Sequence, residues 1–382
     1  MKAKKSRSIV FINQATGYLT IDIINSFAAN FENVALIAGS IRIQDIDLDK
    51  KVQWTKIVKY DRGNPLRKFI SWIVGTIQIF FLLAFKYRKY EVFYITIPPS
   101  AYLLSLLLPN KFSILVFDVY PDVLKIYNIK ESSFLYNLWM KWNRQLFKKA
   151  HRVFTIGEGM ALLLAAYMPK EEIRIIPLWT GLTKIVPTLK QSNPWLKNLG
   201  LESEFIIQYS GNIGYTHNVE IIVDLAHMMK DEAGIHFLII GRGERVNHIR
   251  DLLKNKKLSN CTLLPFQDDN VLNYSLAAAD LGVALLDEKT AHVSLPSKIY
   301  NLQAVAVPII GISPLDSELN KHLTYYGNGK CFQQSDTDGI IQFIHYMKEH
   351  PEEHLKMSMK SKEASKFHSS ENAFKYYEAY VS

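Results

Sequence analysis

The chain has 382 residues, 48% of them hydrophobic and 21% charged, which gives it enough apolar surface for two buried cores and excludes a disordered chain. Two cysteines, Cys261 and Cys331, exclude a disulfide framework and fit a reducing cytosol. The net charge of +9 lies in the first half, where residues 1–180 carry 25 Lys and Arg against 13 Asp and Glu, while residues 181–382 carry 20 against 23; the amino-terminal half suits an anionic partner, whether a membrane surface, a nucleic acid or a phosphorylated substrate.

Residues 1–7 are basic, but 8–13 is too short an apolar run for a secretory signal and reads as a first strand. Further short runs rich in β-branched and aromatic residues fall at 34–38, 52–60, 92–97, 113–117, 153–156 and 173–177, with helical patterns between most of them. Asp45, Asp47 and Asp49 alternate, yet Lys50 and Lys56 stand where a calcium loop needs Gly and Glu, so they read as a solvated loop. Residues 69–85 form a charge-free run of 17, roughly 25 Å as a helix and at or below the lower limit for crossing a bilayer. Arg67, Lys68, Lys86, Arg88 and Lys89 flank it. A buried core helix and a helix set in one leaflet with its basic ends at head groups both remain open. Residues 101–108 read as a core segment.

Residues 182–198, with Pro187 and Pro194, break the alternation and read as an interdomain linker. Beyond them the rhythm returns, with strands expected at 205–209, 236–240, 262–264, 281–285 and 307–310. This pattern predicts parallel sheets with helices on both faces. The tail from Pro351 reads as polar and helical.

The segment FIIQYSGNIG (205–214) runs from an apolar strand into two glycines and is expected to open directly into a helix. Gly211 and Gly214 carry no Cβ, so a ligand can approach the backbone. The helix would turn free N–H groups and its positive end toward the loop, which makes an anion site, with phosphate the usual anion. Three more features fall where a doubly wound sheet presents its strand ends: the strand and turn at Gly241-Arg242-Gly243, the turn at Phe266-Gln267, and Pro296-Ser297-Lys298 opening a helix that reaches Asn301. The turn at 241–243 lacks the third glycine of a dinucleotide fingerprint. There is no Walker loop, His-Glu-x-x-His pair or Cys-x-x-Cys pair, and the histidines show no metal-ligand spacing, so neither metal nor cofactor is expected.

In this order, residues 204–311 resemble the carboxyl-terminal nucleotide-sugar domain of glycosyltransferase family 4, in its bacterial surface-polysaccharide branch, whose Pro-Ser-Lys-x-Tyr segment is matched by Pro296 to Tyr300. The first half resembles the family more loosely, at Gly17-Tyr18, at the run Asp118-Val119-Tyr120-Pro121-Asp122 and at Gly157-Glu158. The resemblance implies an α/β GT-B fold: two Rossmann-like, doubly wound parallel-sheet domains facing across a cleft. Residues 1–181 would form the acceptor side, 199–365 the nucleotide-sugar domain, and 366–382 a helix returning to the first domain.

The resemblance also implies roles. Gly211, Asn212 and Gly214 would hold the donor diphosphate, with Gly243, Arg242 and Ser297 beside it. Phe266 and Gln267 would bind the base through their backbone. Lys298 would face the leaving diphosphate and Asn301 a ribose hydroxyl. Gly17 and Tyr18 would line the acceptor side, and Asp118 would carry the acceptor proton or orient the acceptor, or else serve as a turn residue before Pro121. The chain departs from the family where Asn212, Tyr215 and His217 replace a basic pair, where Val293 replaces an acid, and where Ala306 replaces a glycine. The implied activity is that of a retaining, metal-independent hexosyltransferase at the cytoplasmic face of the membrane. Its partners would be a nucleotide-sugar donor, a lipid-linked saccharide acceptor and an anionic membrane surface, with no nucleic acid. A nucleotide-sugar 2-epimerase, using Asp118, Asp122, Glu158 or Glu318, and a non-catalytic nucleotide-sugar binder are the alternatives.

Overall fold

The computed structural model describes residues 7–61, 63–123, 130–182, 185–214, 217–288, 291 and 295–382, so the expectations attached to Tyr215 and Val293 lie outside the described residues. The chain divides into two units, Met1–Gly181 with Ser370–Ser382, and Leu182–Ser369.

In the first unit, strands β1 (Ser8–Ile12), β2 (Ala15–Thr16), β3 (Asn33–Ala38), β4 (Ser40–Ile41), β5 (Val52–Lys56), β6 (Glu91–Ile95), β7 (Phe112–Val116), β8 (Arg152–Thr155) and β9 (Ile173–Ile175) alternate with helices α1 (Tyr18–Ala28), α2 (Pro65–Phe81), α3 (Phe134–Lys149) and α4 (Glu158–Leu164). Seven strands form a parallel sheet in the order β5-β3-β1-β6-β7-β8-β9, and β2 pairs with β4 apart from it. Ile9, Val10, Phe11 and Ile12 are fully buried, as a central strand covered on both faces requires. The strand order reverses between β1 and β6, the place where such sheets bind ligands. The strand expected over 52–60 stops at Lys56, where β5 reaches the sheet edge.

Helix α2 starts where Asn64 accepts the Arg67 N–H at 2.8 Å and Pro65 supplies the first turn. It continues through a π turn, Leu82–Lys86. The apolar helix Leu66–Lys86 therefore has 21 residues and a mean hydropathy of 1.8, about 31 Å of helix. By length and composition it suffices to cross a bilayer, which corrects the length argument made from the shorter charge-free run. Topology decides the matter instead: β5 and β6, which it joins, lie in one sheet, so both helix ends return to the same unit. The core-helix reading is also corrected. Ser71, Ile79 and Leu83 are buried, but Leu66, Phe69, Ile70, Ile73, Ile77 and Phe85 are exposed.

The second unit contains β10 (Phe205–Asn212), β11 (Ile235–Arg242), β12 (Cys261–Pro265), β13 (Leu281–Leu285), β14 (Ile309–Ile312) and β15 (Gly329–Phe332), with helices α5 (Pro194–Leu199), α6 (Glu220–Met228), α7 (Val246–Lys256), α8 (Asp269–Leu276), α9 (Lys298–Ala304), α10 (Glu318–Tyr326), α11 (Thr337–Glu349) and α12 (Pro351–Ser365). Its parallel sheet runs β12-β11-β10-β13-β14-β15 and reverses between β10 and β13. Strand β15 has no counterpart among the expected strands. At the sheet edge only Cys331 and Phe332 need burial, so it lacks a continuous apolar signature.

Residues 182–198 do not form a free linker. Asn193 caps α5 by accepting the N–H groups of Trp195 and Leu196 at 3.1 and 3.2 Å, and donates to the Tyr274 carbonyl at 2.7 Å. Leu196 is buried with Ile206, Leu238 and Ala278, and Lys190 pairs with Asp280. The segment is part of the second unit.

The last helix, α13 (Asn372–Val381), packs on α1 of the first unit. Tyr376 and Tyr380 are fully buried there, each contributing about 1.5–3 kcal/mol of apolar burial. The Tyr380 hydroxyl donates to Glu91, which also pairs with Arg7 and Lys111. Burial opposes the Glu91 charge, but these bonds outweigh it and hold its pKa at about 2.

Candidate functional site

The ladder of β10 extends past the apolar run, so that Gly211 pairs with Gly241 and Asn212 with Arg242. A Cβ on Gly241 would stand 2.0 Å from the Gly211 carbonyl oxygen. On Gly243, at φ 149°, it would stand 2.4 Å from that of Ile213. Neither position admits a side chain without moving backbone. Helix α6 begins at Glu220 rather than directly after the glycine loop, which corrects the expected strand-to-helix junction. Its first turn already holds the Glu220 carboxylate, ion-paired with Arg245 and 3.3 Å from His248. That carboxylate meets the positive end of the helix, and the Ile213 N–H of the loop already donates to the Arg242 carbonyl at 2.8 Å, so Lys298 is the cation set against Gly211.

Lys298 is the first residue of α9. Although the residue is partly exposed, its Nζ is buried and has no hydrogen-bond partner among the described residues. It lies 3.7 Å from the centroid of the Tyr209 ring, and a Cβ on Gly211 would come within 2.9 Å of it. The Tyr209 hydroxyl donates to the Asn212 carbonyl at 2.7 Å, fixing the ring and the strand end together. An aromatic face compensates a buried ammonium only in part, and burial draws the Lys298 pKa down to about 7. His217 belongs to the same electrostatic group. Burial and Lys298 lower its pKa, while Asp287 raises it. An ammonium with no ion pair among the described residues, set against a glycine loop at the sheet's switch point, is a candidate anion site.

Next to it, Arg242 stacks over Phe266 at 4.6 Å. Gln267 accepts from Trp195 Nε1 at 3.0 Å and donates to the Pro265 carbonyl at 2.7 Å. The side chains of this turn are thus occupied. Ser297 precedes α9 and is exposed, and Asn301 is half-buried one turn into the helix. Helix α12 braces α9 through Ser361 Oγ to the Val307 carbonyl (2.8 Å) and Lys362 Nζ to the Ala304 carbonyl (3.1 Å). Just after α9, Ala306 adopts φ 61°, a conformation that favours glycine.

A cavity of about 620 Å³ opens at the carboxyl ends of β13, β14 and β15, lined by Asn218, Asp287, Glu288, Ser313 and Gln333 among others. Neither Gly211, Arg242 nor Lys298 lines it among the described residues. The buried ammonium, not cavity size, marks the candidate site.

In the first unit, Asp118 follows β7 and opens to solvent. Crowding by protein nevertheless raises its pKa, with the Lys68 charge acting the other way. Gly17 lines a second cavity. Tyr18 is committed elsewhere: its hydroxyl donates to the Trp179 carbonyl at 3.1 Å, and its ring lies where a Cβ on Gly181 would be, 2.5 Å away. Asp122 accepts from the hydroxyls of Tyr136 and Tyr167 at 2.8 and 2.5 Å. Glu158 pairs with Lys170 and Glu318 with Lys321.

Sequence reasoning passed over Tyr209 and Trp195. Nothing in the sequence ties Tyr209 to Lys298. Trp195 had a signal, since Asn193, Pro194 and Gly200, at φ 66°, spell a capped helix.

No family model matches the chain. It is 25% identical over 247 residues to a probable glycosyltransferase, WbjE, of Pseudomonas aeruginosa, covering 63% of this chain and 61% of that protein. It is also 25% identical over 177 residues to the putative colanic acid biosynthesis glycosyl transferase WcaI of Escherichia coli (strain K12), covering 46% and 43%. The chain thus spans less than two thirds of the length of these curated relatives. Among solved structures it is similar to Anabaena Alr3699/HepE in complex with UDP, with 11% identity, 98% and 99% coverage and a TM-score of 0.73. Sucrose-phosphate synthase from Thermosynechococcus elongatus gives 14% identity, 98% coverage of both chains and a TM-score of 0.74. These likenesses establish the fold: α/β, with two Rossmann-like parallel-sheet domains of the GT-B kind.

Proposed function

We propose that the chain is a retaining glycosyltransferase, moving a sugar from a nucleotide-diphosphate donor to a lipid-linked saccharide acceptor in bacterial surface-polysaccharide assembly. The observation that carries this reading is the buried Lys298 ammonium, lying over Tyr209 and against Gly211 without a hydrogen-bond partner among the described residues. Similarity to WbjE and WcaI supports the reaction and the polysaccharide setting. The fold likeness to HepE, a structure that holds UDP, supports a nucleotide-bearing donor.

In this reading the donor diphosphate rests on Gly211, Asn212 and Gly214, with Gly243, Arg242 and Ser297 beside it. Lys298 neutralises charge on the diphosphate as the sugar C1–O bond breaks. The acceptor hydroxyl attacks C1 from the face the leaving group vacates, and the leaving phosphate oxygen takes its proton. No strong protein base is needed, and no metal enters the scheme. The backbone at Phe266 and Gln267 takes the base, and Asn301 a ribose hydroxyl. Asp118 orients the acceptor. The exposed apolar face of α2, with Arg67, Lys68, Lys86, Arg88 and Lys89 at its ends, seats the protein peripherally on the inner face of the cell membrane.

Transfer is favoured over epimerisation because Asp122, Glu158 and Glu318 are engaged in structural bonds, leaving Asp118 alone among the four candidate carboxylates. The test is donor hydrolysis and sugar transfer by a Lys298→Ala protein. Loss of both is expected. Unchanged activity would contradict the assignment, and epimer formed from donor alone would contradict transfer.

A further inference from the structure

The sheet order of the second unit, β12-β11-β10-β13-β14-β15, sets three features side by side within that unit. The turn at Phe266 and Gln267 follows β12 at one edge. Gly211 and Lys298 meet at the switch between β10 and β13. Beyond them, at the carboxyl ends of β13, β14 and β15, lies the cavity of about 620 Å³. Its volume falls in the range of roughly 300–1,000 Å³ common to small-molecule sites. The cavity adjoins the glycine loop through the chain itself. The His217 N–H returns to the Gly214 carbonyl at 3.2 Å, and the next residue, Asn218, is on the cavity wall. The Leu286 N–H donates to the Ile312 carbonyl at 3.1 Å, which fixes where β13 delivers Asp287 to that wall. The charges of Lys298 and Asp287 both reach His217.

The lining has a definite chemistry. Asp287 and Glu288 are exposed, and no Lys, Arg or His is among the described residues that line the cavity. Asn218, Gln333 and Gln334 add amides that both donate and accept, while Leu285 and Ile312 contribute apolar surface. Hydroxyl groups suit such a wall, because each can donate a charge-assisted hydrogen bond to a carboxylate. An ammonium is attracted to it for the same reason. A ligand carboxylate is not, because it meets two like charges with no cation on the described lining to offset them.

We infer that this cavity takes the sugar of the donor and admits sugars without a carboxylate, neutral or amine-bearing, while rejecting uronic acids. The inference rests on the transferase reading and adds to it the class of sugar and the residues that select it. With the diphosphate at Gly211 and Lys298 and the base at Phe266 and Gln267, the sugar is the part of the donor still to be placed. The β13 side of the switch, opposite the base, is where the cavity gives it room. Asp287 and Glu288 accept from its hydroxyls, and the amides of Asn218, Gln333 and Gln334 complete the polar contacts.

Calorimetric titration of the 382-residue chain at low salt tests it. For whichever of UDP, GDP and dTDP binds, its glucosyl and glucuronosyl esters are compared within each protein, so that any effect of a substitution on the diphosphate cancels. The wild type should bind the glucosyl ester at least about tenfold more tightly than the glucuronosyl ester. An Asp287→Asn/Glu288→Gln protein should reduce that preference to less than about threefold. A Gln333→Lys protein, changed at an exposed position, should narrow it likewise, and melting curves check that both variants are folded. A glucuronosyl ester bound by the wild type as tightly as the glucosyl ester would overturn the inference and leave the donor reading standing. So would a preference unchanged in both folded variants. Failure of the wild type to bind any of the three nucleoside diphosphates would overturn the donor reading and the inference with it.

Discussion

Lys298 places its ammonium 3.7 Å from the centroid of the Tyr209 ring, and no described residue hydrogen-bonds it. A buried cation left in this way costs stability unless a ligand completes it. A Lys298→Met protein keeps the length and removes the charge. It should therefore be more stable than the wild type by about 1 kcal/mol, read as a higher melting temperature without ligand. A marked loss of stability would mean that the ammonium is a structural tie.

The same relationship sets a pH dependence. The folded-state pKa of Lys298 is about 7, below the ordinary 10.5. Between these values the unfolded chain holds a proton that the native protein lacks, so this group's contribution to stability grows as pH rises through the window and is lost as pH falls through about 7. In the proposed function, a bound diphosphate would restore the charge. Binding at pH 8 should take up protons, measurable by calorimetry in buffers of different ionisation enthalpy, and the uptake should vanish in Lys298→Met.

Two glycines of the site should fail in different ways. At Gly211 an added Cβ meets the movable end of Lys298, 2.9 Å from Nζ and 3.3 Å from Cε. Gly211→Ala should fold with little loss and bind nucleotide about tenfold less well. At Gly243 it meets the Ile213 carbonyl oxygen at 2.4 Å, at φ 149°, so Gly243→Ala should cost about 1–3 kcal/mol of stability. Thermal melts with and without nucleotide separate the two outcomes.

Ala306 holds φ 61° where the Val307 N–H returns to the Leu302 carbonyl at 2.9 Å, closing α9 behind Lys298. Relief of the left-handed strain should outweigh the extra freedom gained by the unfolded chain. Ala306→Gly should raise the melting temperature by about 2 °C. A fall would show that the entropy term wins.

Much of the fold could be read from the sequence because buried parallel strands such as β1 and β13 are continuous apolar runs bounded by turns. Where burial is partial the reading failed, as at the edge strand β15. At α5 the signal was present in Asn193, Pro194 and Gly200, but the prolines suggested a linker. The glycine loop was legible from Gly211 and Gly214. Its electrostatics were not, because they depend on Tyr209 and His217 meeting Lys298 in space, and on Glu220 occupying the start of α6. Helix α2 was legible as apolar and basic-flanked, but which side of it faces solvent depends on how it packs against residues 101–106 and Gln14.

The most direct test of the proposed nucleotide-diphosphate site is calorimetric titration of UDP, GDP and dTDP into the wild-type and Lys298→Met proteins at pH 7. The wild type should bind at least one of them, and the substitution should weaken that binding about 10- to 100-fold. Binding that is equal in both proteins, or absent for all three nucleotides in the wild type, would contradict it.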